Sequence, residues 1–212
     1  MKEKKMFIVS VWFGFVLLSR LLKVSFPVGE SAASIYCMAA ALPVLAYFLP
    51  SRYSFPLVGG VFFLISSLPI TAGIPTLLAA LSWSLSKEKK TPSILFHTLF
   101  SALAISLFIL SPSGAEAWPY ALYWLIPIAC SFVRPRLATR ALSSTFIAHA
   151  TGSVIWAYLV PLSSGQWLTL IPVVAVERLL LAALSVGLIG TIAWVTSLLP
   201  SSQPEASSSL NL

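Results

Sequence analysis

Long apolar runs alternate along the chain with short clusters of basic or turn-forming residues. The runs Met6–Leu22, Ser31–Leu49, Phe55–Ser86, Pro92–Leu110, Trp118–Val133, Ser143–Val160 and Trp167–Leu199 carry almost no charge. A helix needs about 20 apolar residues to cross a hydrocarbon layer, and most of these runs come close to that length. Phe55–Ser86 is too long for one crossing and is interrupted by Pro69, Gly73 and Pro75. It therefore divides into Phe55–Pro69 and Ile70–Ser86, with a turn over Leu68–Pro75 toward the outer side. Broken backbone in a membrane is tolerated where protein covers it or where it lines a cavity, so this turn is either a tight connection or a ligand contact. The expected fold is all-α, a polytopic transmembrane bundle of about six to seven hydrophobic segments. It forms one domain over residues 1–199, and the Ser-rich end, 200–212, reads as a short disordered cytoplasmic tail.

Composition agrees with this class. Only 9% of residues are charged, against about 25% in soluble domains. The net charge of +7 would suggest nucleic acid in a soluble protein, but here the basic residues sit in the short loops. Membrane topology and anionic lipid account for them, and no nucleic-acid partner is expected. Lys2, Lys4 and Lys5 precede Met6–Leu22, which reads as a first transmembrane helix in preference to a signal-peptide core because Arg20 and Lys23 stand where a cleavage site would fall. With that end inside, Arg52, Lys87, Lys89, Lys90, Arg134, Arg136 and Arg140 are also cytoplasmic, and Glu30 and Glu116 are external. The chain is thus expected in the cell (inner) membrane with both termini cytoplasmic. The aromatic group Trp118, Tyr120, Tyr123 and Trp124 reads as an interfacial belt. Cys37 and Cys130 fall in apolar helices and suggest neither a disulfide nor a metal site.

Arg20, Lys23 and Arg178 are the basic residues that this topology leaves near or within the bilayer. A charge at mid-bilayer costs about 2.5–3.5 kcal/mol on insertion scales, so it faces a bundle interior and finds a partner. The adjacent Glu177 and Arg178 lie inside the last run, at a depth similar to Arg20. Neighbours on a helix diverge by about 100°, so the expectation is that Glu177 meets Arg20 while Arg178 snorkels or binds a carbonyl. Thr145, His149, Gly152, Ser153 and Trp156 form a polar stripe at helical spacing, which points inward. Ser93, His97 and Ser101 share a face of the Pro92–Leu110 helix. The candidate substrate-binding set is Arg20, His149, Ser153, Trp156, Glu177 and Arg178, an outer-half pocket for a small polar metabolite. The other reading of the same residues is a buried ion pair that fixes helix register.

No P-loop or HExxH pattern occurs and aspartate is absent, so no catalytic motif, metal site or cofactor is expected. Gly29-Glu30-Ser31 ahead of His149-Ala150-Thr151-Gly152 resembles the order found in rhomboid intramembrane serine hydrolases, although Trp156 stands where those carry a further glycine. Taken whole, the chain resembles the substrate-capture S components of energy-coupling-factor (ECF) vitamin transporters. The likeness lies in length, helix number, the basic inner face, a small-residue-rich early helix and polar groups in the outer half. It implies uptake of a small metabolite with a transmembrane coupling subunit and ATPase subunits as partners. It also implies docking through the small-residue face Ala33, Cys37 and Ala41, where Cys37 departs from the family's alanine. The alternative is a non-catalytic membrane scaffold.

Overall fold

The computed structural model describes residues 2–28, 31–65, 70–87 and 90–198; the expected tail over 200–212 lies outside them. Helix α1 (Lys2–Leu21) leads into a hairpin of β1 (Lys23–Val28) and β2 (Ser31–Tyr36), followed by α2 (Met38–Phe48), α3 (Ser51–Ile65), α4 (Ile70–Lys87) and α5 (Lys90–Ile109). A short α6 (Trp118–Ala121), a 3-10 turn (Leu122–Trp124) and α7 (Leu125–Phe132) precede the long α8 (Leu137–Leu159) and α9 (Ser164–Ser197).

The hairpin corrects the expectation of a helix from Ser31. Its antiparallel register sets Val24 opposite Ile35 and Val28 opposite Ser31. Pro27 has no N–H for a helix interior, and β-branched Val24 and Val28 favour an extended chain. Helix α2 begins only at Met38, so Ala33 lies on a strand and the Ala33–Cys37–Ala41 stripe is not one helix face.

Helix α2 is apolar all round and is accordingly central: Ala40, Ala41, Leu42, Val44, Leu45 and Ala46 are buried. Trp12 Nε1 donates to the Ala41 carbonyl at 2.9 Å, tying α1 to it. At its other end Lys87 Nζ from α4 donates to the carbonyls of Ala46 and Leu49 at 3.2 and 3.5 Å. A cation there meets carbonyls that the helix cannot bond itself and the negative end of its dipole.

The Phe55–Ser86 run is two packed helices, α3 and α4. Their close approach uses Gly73, where a Cβ would stand 2.8 Å from the Phe62 ring. Residues 66–69, within the expected turn, lie outside the described ones. The expected Trp118–Val133 span is interrupted by the 3-10 turn between α6 and α7. Helix α9 starts earlier than expected because Ser163 and Gln166 cap it reciprocally: Gln166 N donates to Ser163 Oγ at 3.3 Å and Ser163 N to Gln166 Oε1 at 2.8 Å.

Side chains pack into two cores. One joins α1, α2, α3, α4 and the lower part of α9; the other joins the end of α5 with α6, α7, α8 and the start of α9. Leu142 of α8 packs against both. At one end of the bundle stand Lys87, Arg134, Arg136 and Arg140. At the opposite end the connection Ser111–Ala117 folds over α9, with Trp167 Nε1 donating to Ser113 Oγ at 3.1 Å and Ser164 Oγ to Glu116 Oε2 at 2.7 Å.

Among the described residues two helices, Thr91–Ile109 and Ser164–Ser197, are long and apolar enough to cross a membrane individually, which is weak support for membrane association. The expected six to seven such segments are not present among the described residues as separate long apolar helices. The hairpin shortens the second run and the 3-10 turn breaks the fifth, while the third divides as expected into two shorter helices.

The connection over α9 depends on Gly114, where a Cβ would lie 1.7 Å from the Phe108 carbonyl oxygen. Backbone cannot yield as a flexible side chain does. Gly114→Ala is therefore expected to destabilise the protein by about 1–3 kcal/mol. Gly60→Ala, with nothing within 4 Å, should leave stability unchanged or raise it slightly. Thermal unfolding of the two variants in nanodiscs checks the contrast.

Candidate functional site

Between α8 and α9, floored by α2 and α4, lies a cavity of about 320 Å³. Its α9 wall runs from Trp167 to Ser185, about 27 Å along a helix. His149, Ser153 and Trp156 of α8 face it together with Glu177 and Arg178 of α9. Arg20 belongs to α1, and its side chain lies outside the described residues.

Arg178 is buried and sits between the two long helices. Its Nη1 donates to the Thr145 carbonyl of α8 at 3.2 Å, and its Nη2 forms an ion pair with Glu177 Oε1. The expected carbonyl contact of Arg178 is thus present. Among the described residues the carboxylate's partner is the neighbouring arginine, because both side chains bend toward the cavity in spite of their angular offset. Glu177 Oε2 makes no hydrogen bond among the described residues.

His149 packs among aromatic rings, 5.4 Å from Tyr120 and 6.4 Å from both Trp124 and Phe146 by centroid. Its Nε2 and the Nε of Arg178 are buried without a partner. Unpaired buried polar atoms are uncommon and costly, so two of them on one cavity's lining residues mark it as a place for a ligand or water. Tyr120 Oη and Ser153 Oγ are 3.2 Å apart.

Tyr120 is a site residue that sequence reasoning misplaced. With Trp124 it was assigned to an interfacial belt, yet both are buried, and Tyr120 lines the cavity. Their four-residue spacing, which puts both on one helical face, was the available signal. Trp118 of the same group is exposed. The wall residues Ala39, Pro43 and Thr76 carried no signal that a single sequence could offer.

The Ser93–His97 face belongs to a second, smaller cavity of about 120 Å³ near the basic end, bordered also by Cys130, Ser131 and Arg140. Here His97 is fully partnered. Ser131 Oγ gives its proton to the Pro127 carbonyl at 2.8 Å, so His97 Nδ1, 2.7 Å away, donates to Ser131. In the neutral ring Nε2 then accepts from Ser82 Oγ at 2.8 Å. Ser101, expected on the same face, is buried and its Oγ has no partner. His97 thus ties α4, α5 and α7 together and is spent on structure, whereas His149 is not. Among the described residues no group of three His, Cys, Asp or Glu side chains converges as a metal site.

No protein-family model, curated protein or solved structure matches this chain.

Two stability effects follow from this packing. His97→Ala strands Ser82 in a buried setting and is expected to cost about 1–3 kcal/mol. Gly152→Ala should be tolerated, since the new Cβ would meet only Pro75 Cγ at 3.9 Å. It should also gain up to about 1 kcal/mol of helix propensity. Unfolding temperatures of the two variants, measured side by side, check both expectations.

Proposed function

We propose that the chain is a multi-pass membrane protein that captures a small metabolite for uptake, as the substrate-capture subunit of a multi-subunit importer. The observation that carries this reading is the cavity between α8 and α9, where His149, Ser153, Trp156, Glu177 and Arg178 meet. A concave, largely apolar space with a few convergent polar groups is the usual form of a small-molecule site.

The membrane setting is supported by an inverted distribution of polarity. Leu64, Leu99, Leu110 and Trp194 are exposed, while His97, His149, Ser144 and Arg178 are buried. In lipid an exposed leucine costs nothing, and ionisable groups turn inward. The basic end is proposed to be cytoplasmic and the Ser111–Ala117 end external, which places the aromatic end of the cavity toward the outside.

A scaffold role is favoured by one observation, the Arg178–Thr145 bond, which holds α8 to α9 without any ligand. The serine hydrolase alternative has no comparable support: Ser31 stands on β2, and His149 packs among Tyr120, Trp124 and Phe146.

Removing one partner of a buried pair strands the other, so Arg178→Ala is expected to destabilise by about 3–5 kcal/mol under either reading. The double variant Glu177→Gln with Arg178→Gln separates them. It should recover most of that stability, and a scaffold would then keep its function, whereas a capture subunit would lose its metabolite. The measurement is purification in nanodiscs from the native membrane, followed by mass spectrometry of co-purifying proteins and small molecules. A transmembrane coupler, ATPase subunits and a retained metabolite are expected with the wild-type chain. A well-folded preparation without these partners or a metabolite would end the importer reading.

A further inference from the structure

The cavity's charge balance and hydrogen-bond inventory narrow what it can hold; this inference rests on the capture reading above. Its formal charges, among the described residues, are Glu177 and Arg178, and these neutralise each other. Among the described residues a ligand of net charge would find no counter-charge left, in a space where an uncompensated charge is costly.

The hydroxyl protons of the inner half are already committed. Ser144 donates to the Ala79 carbonyl at 3.0 Å, Thr145 to Leu142 at 3.1 Å and Ser185 to Leu181 at 2.9 Å. Other groups are open: His149 Nε2 and Arg178 Nε are buried without a partner. Glu177 Oε2 is an acceptor with no hydrogen bond among the described residues. The Tyr120–Ser153 pair holds two hydroxyl protons but uses one in its mutual bond, which leaves one to donate. Trp156 and Trp167 line the same cavity. The volume of about 320 Å³ corresponds to roughly ten waters at about 30 Å³ each, room for one ring with a short substituent.

We propose that the cavity binds an electroneutral, single-ring compound that donates an N–H to Glu177 and accepts from the Tyr120–Ser153 hydroxyl pair, with its ring against the aromatic side chains. Polar edge and apolar body in one molecule match a cavity lined both by polar groups and by aromatic rings.

The test uses three ring compounds of nearly identical shape: benzamide, which is neutral, benzoate, which is an anion, and benzamidine, which is a cation. Each is titrated calorimetrically into the full chain in nanodiscs. Benzamide is expected to bind more tightly than either charged analogue by at least about tenfold. Glu177→Gln leaves Arg178 unmatched and should shift preference to benzoate, while Arg178→Gln should shift it to benzamidine. Should either variant fail to fold, the wild-type ranking still decides. Wild-type preference for benzoate or benzamidine would overturn the electroneutral assignment and leave capture in this cavity standing. Absence of binding by all three would overturn the ring class. A Gly152→Leu chain that is folded by thermal unfolding, yet binds benzamide as tightly as wild type, would place binding outside the cavity and remove the capture reading as well.

Discussion

A buried arginine constrains the whole arrangement. Arg178 lies where two long helices meet, and burying its guanidinium there demands a counter-charge and a hydrogen-bond acceptor. Glu177 supplies the charge and the Thr145 carbonyl supplies an acceptor. Both are fixed by helix geometry, so α8 and α9 are held at one relative height. The residues that then face each other across the seam, Ala148 and Gly152 on one side and Val173 and Val174 on the other, are too small to fill it. The cavity follows from an arginine that sets the register and small residues that leave the rest of the seam open.

What distinguishes a structural polar group from an available one here is where its proton goes. His97 and His149 are both buried on long helices and look equivalent as residue types. The first is bracketed by serines from α4 and α7, whose hydroxyls complete both ring nitrogens. The second has aromatic neighbours and a nitrogen with no partner. Burial alone would rank them together; proton accounting separates them.

Much of the site was legible because helical spacing is a strong signal. Thr145, His149, Ser153 and Trp156 had to share a face, and a pair of charges inside an apolar run had to turn inward. What remained hidden was set by tertiary neighbours. The contact of Glu177 with the adjacent arginine is one that angular spacing alone does not capture. Tyr120 and Trp124 read as belt residues because an aromatic cluster at the start of an apolar run looks the same from sequence whether it meets lipid or folds under a connection such as Ser111–Ala117. The hairpin was hidden by Ala32, Ala33 and Ala39–Ala41, whose helix propensity carries the second apolar run back to Ser31, close behind Pro27 and Val28, the residues that favour an extended chain.

The same competition explains why, among the described residues of an apolar chain, only two helices are long and apolar enough to cross a membrane individually. A segment crossing lipid alone must satisfy every backbone group by itself and so needs unbroken length. A segment crossing inside a bundle can be shorter or broken, provided neighbours cover the break. In the proposed membrane setting helix α2 is such a segment: it has 11 residues, it is packed against α1, α3, α4 and α9, and Lys87 supplies donors to its last carbonyls. The two helices that meet the stricter requirement, α5 and α9, differ in kind. On α5 the exposed leucines Leu95, Leu99 and Leu103 recur every four residues along one face, and His97 and Ser101 are buried on another. Helix α9 combines its exposed apolar face with the one that carries Glu177 and Arg178, so the segment best suited to lipid also carries the charges that lipid would exclude. In the proposed membrane setting those charges confine α9 to a single rotation, because only one orientation places them against α8. Ligand and lipid would then select the same rotation, and the outward face that stabilises the helix would also keep the cavity aimed inward.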